Sequence, residues 1–268
     1  MGKITVVGIG PGNENEITPR VRNAIENADV VVGYKTYLSL IENLIANKNV
    51  IGTGMTGEIE RCKLAVENAV NGKNAVVISS GDAGVYGMAG LVLELLLEKG
   101  KETRPEIEII SGISSVLSAA AILGAPLMHD FAVISLSDLL TPWEKIEKRI
   151  NAAAMGDFVI AFYNPKSKKR VQNIEIAKEI ILKYRDKNTP VGIVWNVGRT
   201  GEKKSITTLQ DFTKEDISMF SLVIIGNSAT YEKDGYMITP RGYEKKESFR
   251  CFFCLPELKM VENLAKNY

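Results

Sequence analysis

Short runs of apolar, mostly β-branched residues recur along the chain, each with the length of a buried strand. They cover residues 4–9, 30–32, 75–79, 107–110, 132–136, 158–163, 191–195 and 222–225. Between most of these runs, apolar residues return every three or four positions and charged residues occupy the opposite face. Clear examples are Ile59, Cys62, Val66 and Ala69, and then Ile174, Ala177, Ile180 and Ile181. The alternation predicts an α/β fold in which crossover helices join the strands of parallel sheets.

A break in this pattern divides the chain into two parts. A helix of small residues over 114–123 is followed by Gly124-Ala125-Pro126, and glycine and proline both stop helices. We therefore expect two α/β domains in tandem, over residues 1–124 and 125–242, and a tail over residues 243–268. The polar stretch 231–247 is interpreted as a closing hairpin followed by a loose end.

The composition narrows the class of partner. The chain has 268 residues, and its 33 Lys and Arg against 32 Asp and Glu give a net charge of +1. This balance gives no reason to expect nucleic acid or a membrane surface as a partner. The first strand begins at once without a signal-peptide pattern, and no apolar run approaches the roughly 18 residues of a membrane span. We expect a cytoplasmic protein.

Three cysteines, an odd number without a secretion signal, indicate reduced thiols rather than a disulfide framework. Cys62 lies on the apolar side of its helical pattern and is assigned to the core. Cys251 and Cys254 have the spacing of half a metal site, but no second pair and no nearby histidine completes it. A redox or metal role for this pair is the less favoured interpretation, and we predict no metal site.

The most informative loop covers residues 79–89, with the sequence SSGDAGVYGMA. It follows an apolar strand and precedes an apolar helix over 91–97, the position at which open α/β sheets bind ligands. Its glycines allow backbone amides to approach a ligand closely, and Asp82 supplies a charge for a ligand amine or hydroxyl. The alternative is a tight turn in which Asp82 caps the following helix.

A second glycine-rich loop, Gly8-Ile9-Gly10-Pro11-Gly12, follows the first strand. The dinucleotide fingerprint needs a glycine at position 13, where the chain has Asn13. Pro11 also removes a backbone donor, and residues 33–35 contain no acidic residue for an adenosine ribose. A nicotinamide cofactor is disfavoured. A loop built for the close approach of another ligand and a tight turn of purely structural value both remain open.

Several motifs occur together in a fixed order, which is far more specific than any one of them. They are residues 7–12 (VGIGPG), 81–82 (GD), 111–115 (SGISS), 162–165 (FYNP) and 196–199 (NVGR). In this combination the chain resembles the tetrapyrrole methylase family over roughly residues 3–242. Further motifs resemble its precorrin-3B C17-methyltransferase branch, also called cobalt-factor III methyltransferase: residues 33–37 (GYKTY), 53–55 (TGM), 80–90, 129–131 (HDF) and 135–143 (SLSDLLTPW).

The resemblance implies two α/β domains with S-adenosylmethionine in the cleft between them, and a homodimer. It implies methyl transfer to C17 of a tetrapyrrole, metal-free or loaded with cobalt, coupled to contraction of the ring. The cofactor contacts of the family fall on Pro11, Gly81, Asp82, Val85, Ser114, Ser115, Tyr163, Asn164 and Val197. Two positions depart from the family pattern. Ala83 stands where the family often has proline, and Ser111 stands at the first position of the family's Pro-Gly-Ile turn.

Ring contraction moves protons, and three residues are candidates for that catalytic work. His129 is the sole histidine of the sequence, and histidine is a residue type suited to proton transfer at neutral pH, although a lone histidine is often a surface residue. Lys35 and Glu58 follow strands whose ends would face the same cleft, although solvated charges are the default for both types. Lys35, Arg199 and Arg241 could instead pair with carboxylates of the macrocycle.

Other assignments stay open at this point. Ser114 and Ser115 could bind the cofactor carboxylate, cap a helix, or do both. The basic cluster at 166–170 is interpreted as a solvated helix face or as a rim that attracts an acidic tetrapyrrole. Rival functions are methylation of a different ring carbon or of diphthamide precursors, a non-catalytic tetrapyrrole carrier, and an α/β oxidoreductase, which Asn13 disfavours.

Overall fold

The computed structural model describes residues 1–243 and begins with a sheet of five strands. The strands are β1 (Lys3–Gly8), β2 (Val30–Tyr34), β3 (Asn49–Thr53), β4 (Ala75–Ser79) and β5 (Glu106–Ile110). The helices between them are α1 (Pro19–Glu26), α2 (Lys35–Leu38), α3 (Glu42–Ile45), α4 (Glu58–Val70) and α5 (Ala89–Leu97). Residues 244–268 lie outside the described part of the chain, and with them Cys251, Cys254, the end of the polar stretch 231–247 and nearly all of the expected tail.

This first sheet is fully parallel, as the sequence predicts, with strand order β3-β2-β4-β1-β5. Its central strands are apolar on both sides because helices cover both faces. One face packs against α4 and α5, through side chains such as Cys62 and Leu96. The opposite face packs against α1 and the short helices α2 and α3, through side chains such as Ile25 and Leu38. All carboxyl ends therefore meet at one edge of the sheet.

The second half of the described chain forms a second five-stranded sheet. Its strands are β7 (Phe131–Ser135), β8 (Val159–Tyr163), β9 (Pro190–Trp195), β10 (Lys203–Thr208) and β11 (Ser221–Ile225). A short strand β6 (Gly124–Ala125) precedes them and a hairpin of β12 (Tyr231–Lys233) and β13 (Tyr236–Ile238) follows. The helices are α6 (Ser115–Leu123), α7 (Trp143–Met155) and α8 (Asn173–Leu182).

The expectation of purely parallel sheets is wrong for the second sheet, whose order is β10-β9-β11-β8-β7. Strands β7 and β8 are parallel, but β11 runs antiparallel to both β8 and β9, and β10 runs antiparallel to β9. For β10 the reason is the connection after β9, where residues 196–202 contain no helix and are too short for a parallel crossover. Strands β7, β8 and β9 still end at a common edge.

Helix α6 packs against the second sheet rather than the first. Its side chains Val116 and Leu123 belong to an apolar cluster with Val159 and Val194. Gly192 permits this approach, since a Cβ on it would lie 2.4 Å from a methyl carbon of Leu123. On the other face, α7 and α8 cover the sheet. The domain boundary at residue 124 stays a prediction, and this packing favours a boundary at the start of α6.

The hairpin expected after residue 231 forms as β12 and β13, and β13 pairs in parallel with β6. Within residues 1–243 no helix combines the length and the apolar character that a bilayer crossing requires.

Candidate active site

Three turns of the first sheet pack tightly together at its carboxyl edge. Gly10 and Gly81 exchange two backbone hydrogen bonds, with N···O distances of 3.1 and 2.7 Å. Gly81 has a φ of +64°, a left-handed conformation that favours glycine. A Cβ on Gly8 would lie 2.5 Å from the carbonyl oxygen of Gly81 and 2.7 Å from the nitrogen of Gly112. The glycines predicted for ligand approach therefore also hold the turns after β1, β4 and β5 in contact.

Asp82 fastens one of these turns to the next. Its Oδ1 accepts a hydrogen bond from the amide of Gly84 at 2.8 Å, and its Oδ2 accepts one from the amide of Gly112 at 3.0 Å. The alternative that Asp82 caps the following helix is wrong, because Met88 occupies the N-cap position of α5. The carboxylate is instead a junction between the turns after β4 and β5.

The hydroxyl of Tyr163, at the end of β8, is a hydrogen-bonding hub. It lies 2.7 Å from Oγ of Ser114, 3.1 Å from Oγ of Ser115 and 3.0 Å from the amide nitrogen of Val116. The Ser114 side chain makes no capping bond of its own, so the capping alternative does not hold for it. The Tyr163 hydroxyl, and not the Ser114 side chain, accepts a hydrogen bond from the Val116 amide in the first turn of α6. Three residues expected at the cofactor thus share one network.

Asn164 and Val197 lie on the turns after β8 and β9. Asn164 has a φ of +50°, and its Nδ2 donates to Oγ of Ser135 at 2.9 Å. Val197 is 7% exposed and packs in the core beside α6. A ligand contact at Val197 would therefore use its backbone, whereas the Asn164 side chain helps to hold its own turn.

Pro11 and Arg199 join the turns of the two sheets. A Cβ on Gly198 would lie 2.8 Å from Cγ of Pro11, so these two turns are in direct contact. Nε of Arg199 donates to the carbonyl oxygen of Pro11 at 3.1 Å, and Nη2 donates to Oγ of Ser80 at 3.0 Å.

A second link between the sheets comes from Tyr86, which the sequence reasoning missed. Its hydroxyl accepts a hydrogen bond from the Ser135 amide at 3.0 Å and donates to the Val133 carbonyl at 3.2 Å. Its ring centre lies 5.4 Å from that of Tyr163. The neighbouring Val85, a cofactor candidate, is 36% exposed. Tyr86 stands in the motif of residues 79–89, but only the topology shows what it reaches.

We call the assembled turns the turn cluster: residues 8–12, 80–88, 111–115, 163–165 and 196–199. It contains all nine expected cofactor residues and draws on both sheets. A separate cavity of about 630 Å³ lies beside the edge strand β10 and the hairpin. Three threonines are among its lining residues, and its charged residues Lys204 and Glu232 belong to none of the motifs. The turn cluster, and not this cavity, is the better candidate for the active site.

The candidate catalytic residues Lys35 and Glu58 lie at the carboxyl edge of the first sheet. Lys35 opens α2 directly after β2, and Glu58 opens α4 after β3. Glu58 pairs with Arg61 at 3.1 Å, and Arg61 also donates to Oγ1 of Thr53 at 2.8 Å. Both candidates share an edge with the turn cluster but take no part in its hydrogen bonds.

His129 lies elsewhere. It is half-exposed and its Nδ1 accepts a hydrogen bond from the amide of Asp130 at 3.0 Å. It precedes β7, whereas the turn cluster lies at the other end of that strand, whose 5 residues span about 17 Å at 3.3 Å per residue. The structure does not bring His129 together with the other candidates, and its catalytic role stays a prediction without geometric support.

Comparison with known proteins gives consistent results. The family model for tetrapyrrole (corrin/porphyrin) methylases matches residues 3–213. A cobalt-factor III methyltransferase of Priestia megaterium is 55% identical over 91% of this chain and 46% of its own, so this chain spans about half of that relative. A probable cobalt-factor III C(17)-methyltransferase of Salmonella typhimurium is 52% identical over 90% of this chain and 99% of its own.

Solved structures agree. The methyltransferase CobJ superimposes with a TM-score of 0.84 at 38% identity, covering 90% of this chain and all of the other. The uroporphyrin-III C-methyltransferase of Thermus thermophilus, solved with S-adenosylhomocysteine, has a TM-score of 0.65 at 23% identity over 84% and 92% of the two chains, and so shares the fold. On the match over most of its length, this chain belongs to the tetrapyrrole (corrin/porphyrin) methylases.

Proposed function

We propose that this protein transfers the methyl group of S-adenosylmethionine to C17 of precorrin-3B or cobalt-factor III and contracts the ring, as a step of cobalamin biosynthesis. The observation that carries the proposal is the turn cluster, in which the carboxyl edges of two sheets meet. The substrate and the ring position are supported by the names of the two relatives that are more than half identical to this chain.

The residues of the turn cluster fit a cofactor that carries an amine and a carboxylate. A Cβ on Gly81 would lie 3.6 Å from the Ser115 nitrogen, in space that glycine leaves open beside the start of α6. The first turn of a helix favours an anion there, because its amides point outward. Asp82 accepts one amide on each oxygen, and a carboxylate has further lone pairs for a ligand amine.

Counting donors and acceptors separates the two serines. The Tyr163 oxygen accepts from the Val116 amide and from the Ser115 hydroxyl, which uses both of its lone pairs. Its own proton then points to Ser114 at 2.7 Å. The Ser114 proton remains available for a ligand carboxylate, whereas the Ser115 proton is already used. Ser114 is therefore the stronger candidate for a direct cofactor contact.

Catalysis in this proposal is mainly positioning. When bound, S-adenosylmethionine would supply a methyl group that its positively charged sulfur has already activated. The chain has to hold the donor and the acceptor carbon in line, an effect that can contribute about 7–11 kcal/mol to a barrier. Arg199, Tyr86 and Tyr163 fix the turns from which that alignment is built.

Proton transfer during ring contraction is assigned to Lys35 and Glu58. Both lie at the edge that a macrocycle would meet next to the turn cluster. The ion pair with Arg61 holds the Glu58 carboxylate in place. Assembly as a homodimer and loading of the substrate with cobalt follow the family resemblance, and the names of the two relatives also support cobalt. A cytoplasmic location is kept as the expectation from the sequence.

The test is a product analysis. The purified protein is incubated with methyl-labelled S-adenosylmethionine and with cobalt-factor III or precorrin-3B, and the product is examined by mass spectrometry and carbon NMR. The proposal expects one labelled methyl at C17 of a contracted ring. A label at another carbon would replace the proposal by a sister activity, and tetrapyrrole binding without S-adenosylhomocysteine binding would indicate a carrier.

A further inference from the structure

Arg199 reaches from the second sheet into the turns of the first, and its contacts there are to neutral groups. The two acceptors, the carbonyl of Pro11 and the hydroxyl of Ser80, are 188 and 119 residues away in sequence. Its guanidinium carbon lies 6.0 Å from the ring centre of Tyr37. The cation is thus held between the turns after β1, β2 and β4.

Among the described residues, no ion pair includes Arg199. Other sheltered arginines are paired: Arg61 with Glu58 at 3.1 Å, Arg170 with Asp138 at 3.6 Å and Arg185 with Asp157 at 3.3 Å. Arg199 is partly buried, and charges withdrawn from water are normally paired in proteins, because an unpaired one loses hydration without compensation.

Two nearby carboxylates do not neutralise Arg199. Oε2 of Glu202 accepts the Gly198 amide at 2.7 Å, and Oε2 of Glu16 lies 3.0 Å from where a Gly198 Cβ would be. Burial and then the charge of Glu202 raise the pKa of Glu16, the opposite of what a paired guanidinium would do. Burial lowers the pKa of Arg199 itself, yet a guanidinium keeps its proton at any physiological pH.

We propose that Arg199 binds a carboxylate of the ligand held by the turn cluster. This rests on the proposed function, in which both ligands carry such groups: the amino acid part of the methyl donor, and the acetate and propionate side chains of the tetrapyrrole. A guanidinium offers paired N–H donors that match a carboxylate. The bonds to Pro11 and Ser80 hold this fork in place before the ligand arrives.

The experiment compares the wild type with Arg199→Met, Arg199→Gln and Arg199→Lys. Lys48→Met is the matched control, since it also removes a cation that donates to neutral groups, the backbone carbonyls of Glu26 and Ala28. Lys48 directly precedes β3, at the amino edge of the first sheet and away from the turn cluster. Calorimetry measures the affinity for S-adenosylhomocysteine and for 5′-methylthioadenosine, which lacks the amine and carboxylate. Steady-state kinetics give the KM for cobalt-factor III. Thermal melting checks that each variant folds. If Arg199→Met does not fold, Arg199→Gln replaces it in the comparison, because glutamine also lacks the charge but keeps a hydrogen-bond donor.

Loss of one charged hydrogen-bonding partner is expected to weaken the affected ligand about ten- to a hundredfold. If the donor carboxylate is the partner, Arg199→Met and Arg199→Gln lose affinity for S-adenosylhomocysteine but not for 5′-methylthioadenosine. If the substrate carboxylate is the partner, the KM for cobalt-factor III rises while both nucleoside affinities stay unchanged. In either case Arg199→Lys recovers part of the loss and Lys48→Met behaves as wild type.

Equal weakening of both nucleosides would show that Arg199 only shapes the turns, and unchanged values for all three ligands would show that it binds none. Either result overturns the inference. A wild-type protein that binds neither S-adenosylhomocysteine nor cobalt-factor III would instead refute the proposed function.

Discussion

Replacing Tyr163 by phenylalanine removes one oxygen and leaves the ring in place against Tyr86. That oxygen holds the Val116 amide at 3.0 Å and the Ser114 and Ser115 hydroxyls at 2.7 and 3.1 Å. It accepts the amide hydrogen that an N-cap side chain would accept at the start of α6, although it comes from a strand 47 residues later in the sequence. The substitution therefore tests whether this long-range cap stabilises both the helix start and the ligand site.

The magnitude follows from the partners. Loss of a helix cap lowers the free energy of unfolding by about 0.5–2 kcal/mol. Ser114 is 8% exposed, so its hydroxyl has little access to replacement water. Leaving a buried polar group unsatisfied adds a penalty of about 1–3 kcal/mol. The two effects overlap, and we expect Tyr163→Phe to destabilise the protein by about 2 kcal/mol within these ranges.

Urea unfolding measures this change, with an unchanged m-value expected because the surface exposed on unfolding stays the same. The matched control is Tyr231→Phe, at a tyrosine 44% exposed in the hairpin, which is expected to change stability by less than about 0.5 kcal/mol. The affinity for S-adenosylhomocysteine should fall in Tyr163→Phe and stay constant in the control. Equal stability and equal affinity in both variants would refute the role given to the Tyr163 hydroxyl.

Three other predictions concern the site, the core and His129. The single variant Asp82→Ala and the double variant Ser114→Ala/Ser115→Ala should each weaken S-adenosylhomocysteine binding about tenfold or more while the protein stays folded. An unchanged affinity in calorimetry would contradict the cofactor role of these residues. Burial raises the pKa of Cys62 to about 11, so little of its thiol is ionised at pH 8. Iodoacetamide should therefore leave Cys62 unalkylated in the native protein, as measured by peptide mass spectrometry, and rapid labelling would contradict its burial. His129→Asn should leave methyl transfer and contraction within about twofold of wild type, because the residue lies beyond the far end of β7; slower contraction in a product time course would restore its catalytic role.

Asp186→Ala is a suitable control for Asp82→Ala. Asp186 also accepts a local amide hydrogen bond, from Asn188 at 2.7 Å, in an exposed turn outside the turn cluster. Each substitution removes a comparable turn contact, but only the loss of Asp82 should reach the ligand.

The central strands could be predicted from the sequence because they are buried on both faces. Each apolar run of the sequence forms a strand, and the helix after the loop of residues 79–89 forms as α5. The strands β3 and β10 were missed, since both are sheet edges whose residues are partly exposed and carry a weaker apolar pattern. The reversed direction of β11 leaves no local signal either.

The site was predictable as a set of turns but not as an arrangement. Motif order identified the loops, and glycine chemistry explained their proximity. The contacts of Tyr86 with β7 and of Arg199 with Ser80 join residues that are far apart in sequence, so they follow from the topology of two sheets. His129 shows the converse, because a chemically suitable residue type was predicted from composition, and its place before β7 could not be read from the sequence.

A crystal structure with S-adenosylhomocysteine bound shows whether the turn cluster is the cofactor site. We expect the ligand within the turn cluster, in contact with residues 80–88 from the first sheet and with residues 163–165 or 196–199 from the second. A ligand that contacts the turns of one sheet alone, or that binds in the cavity beside β10, would show that the two sheets do not share a cofactor site.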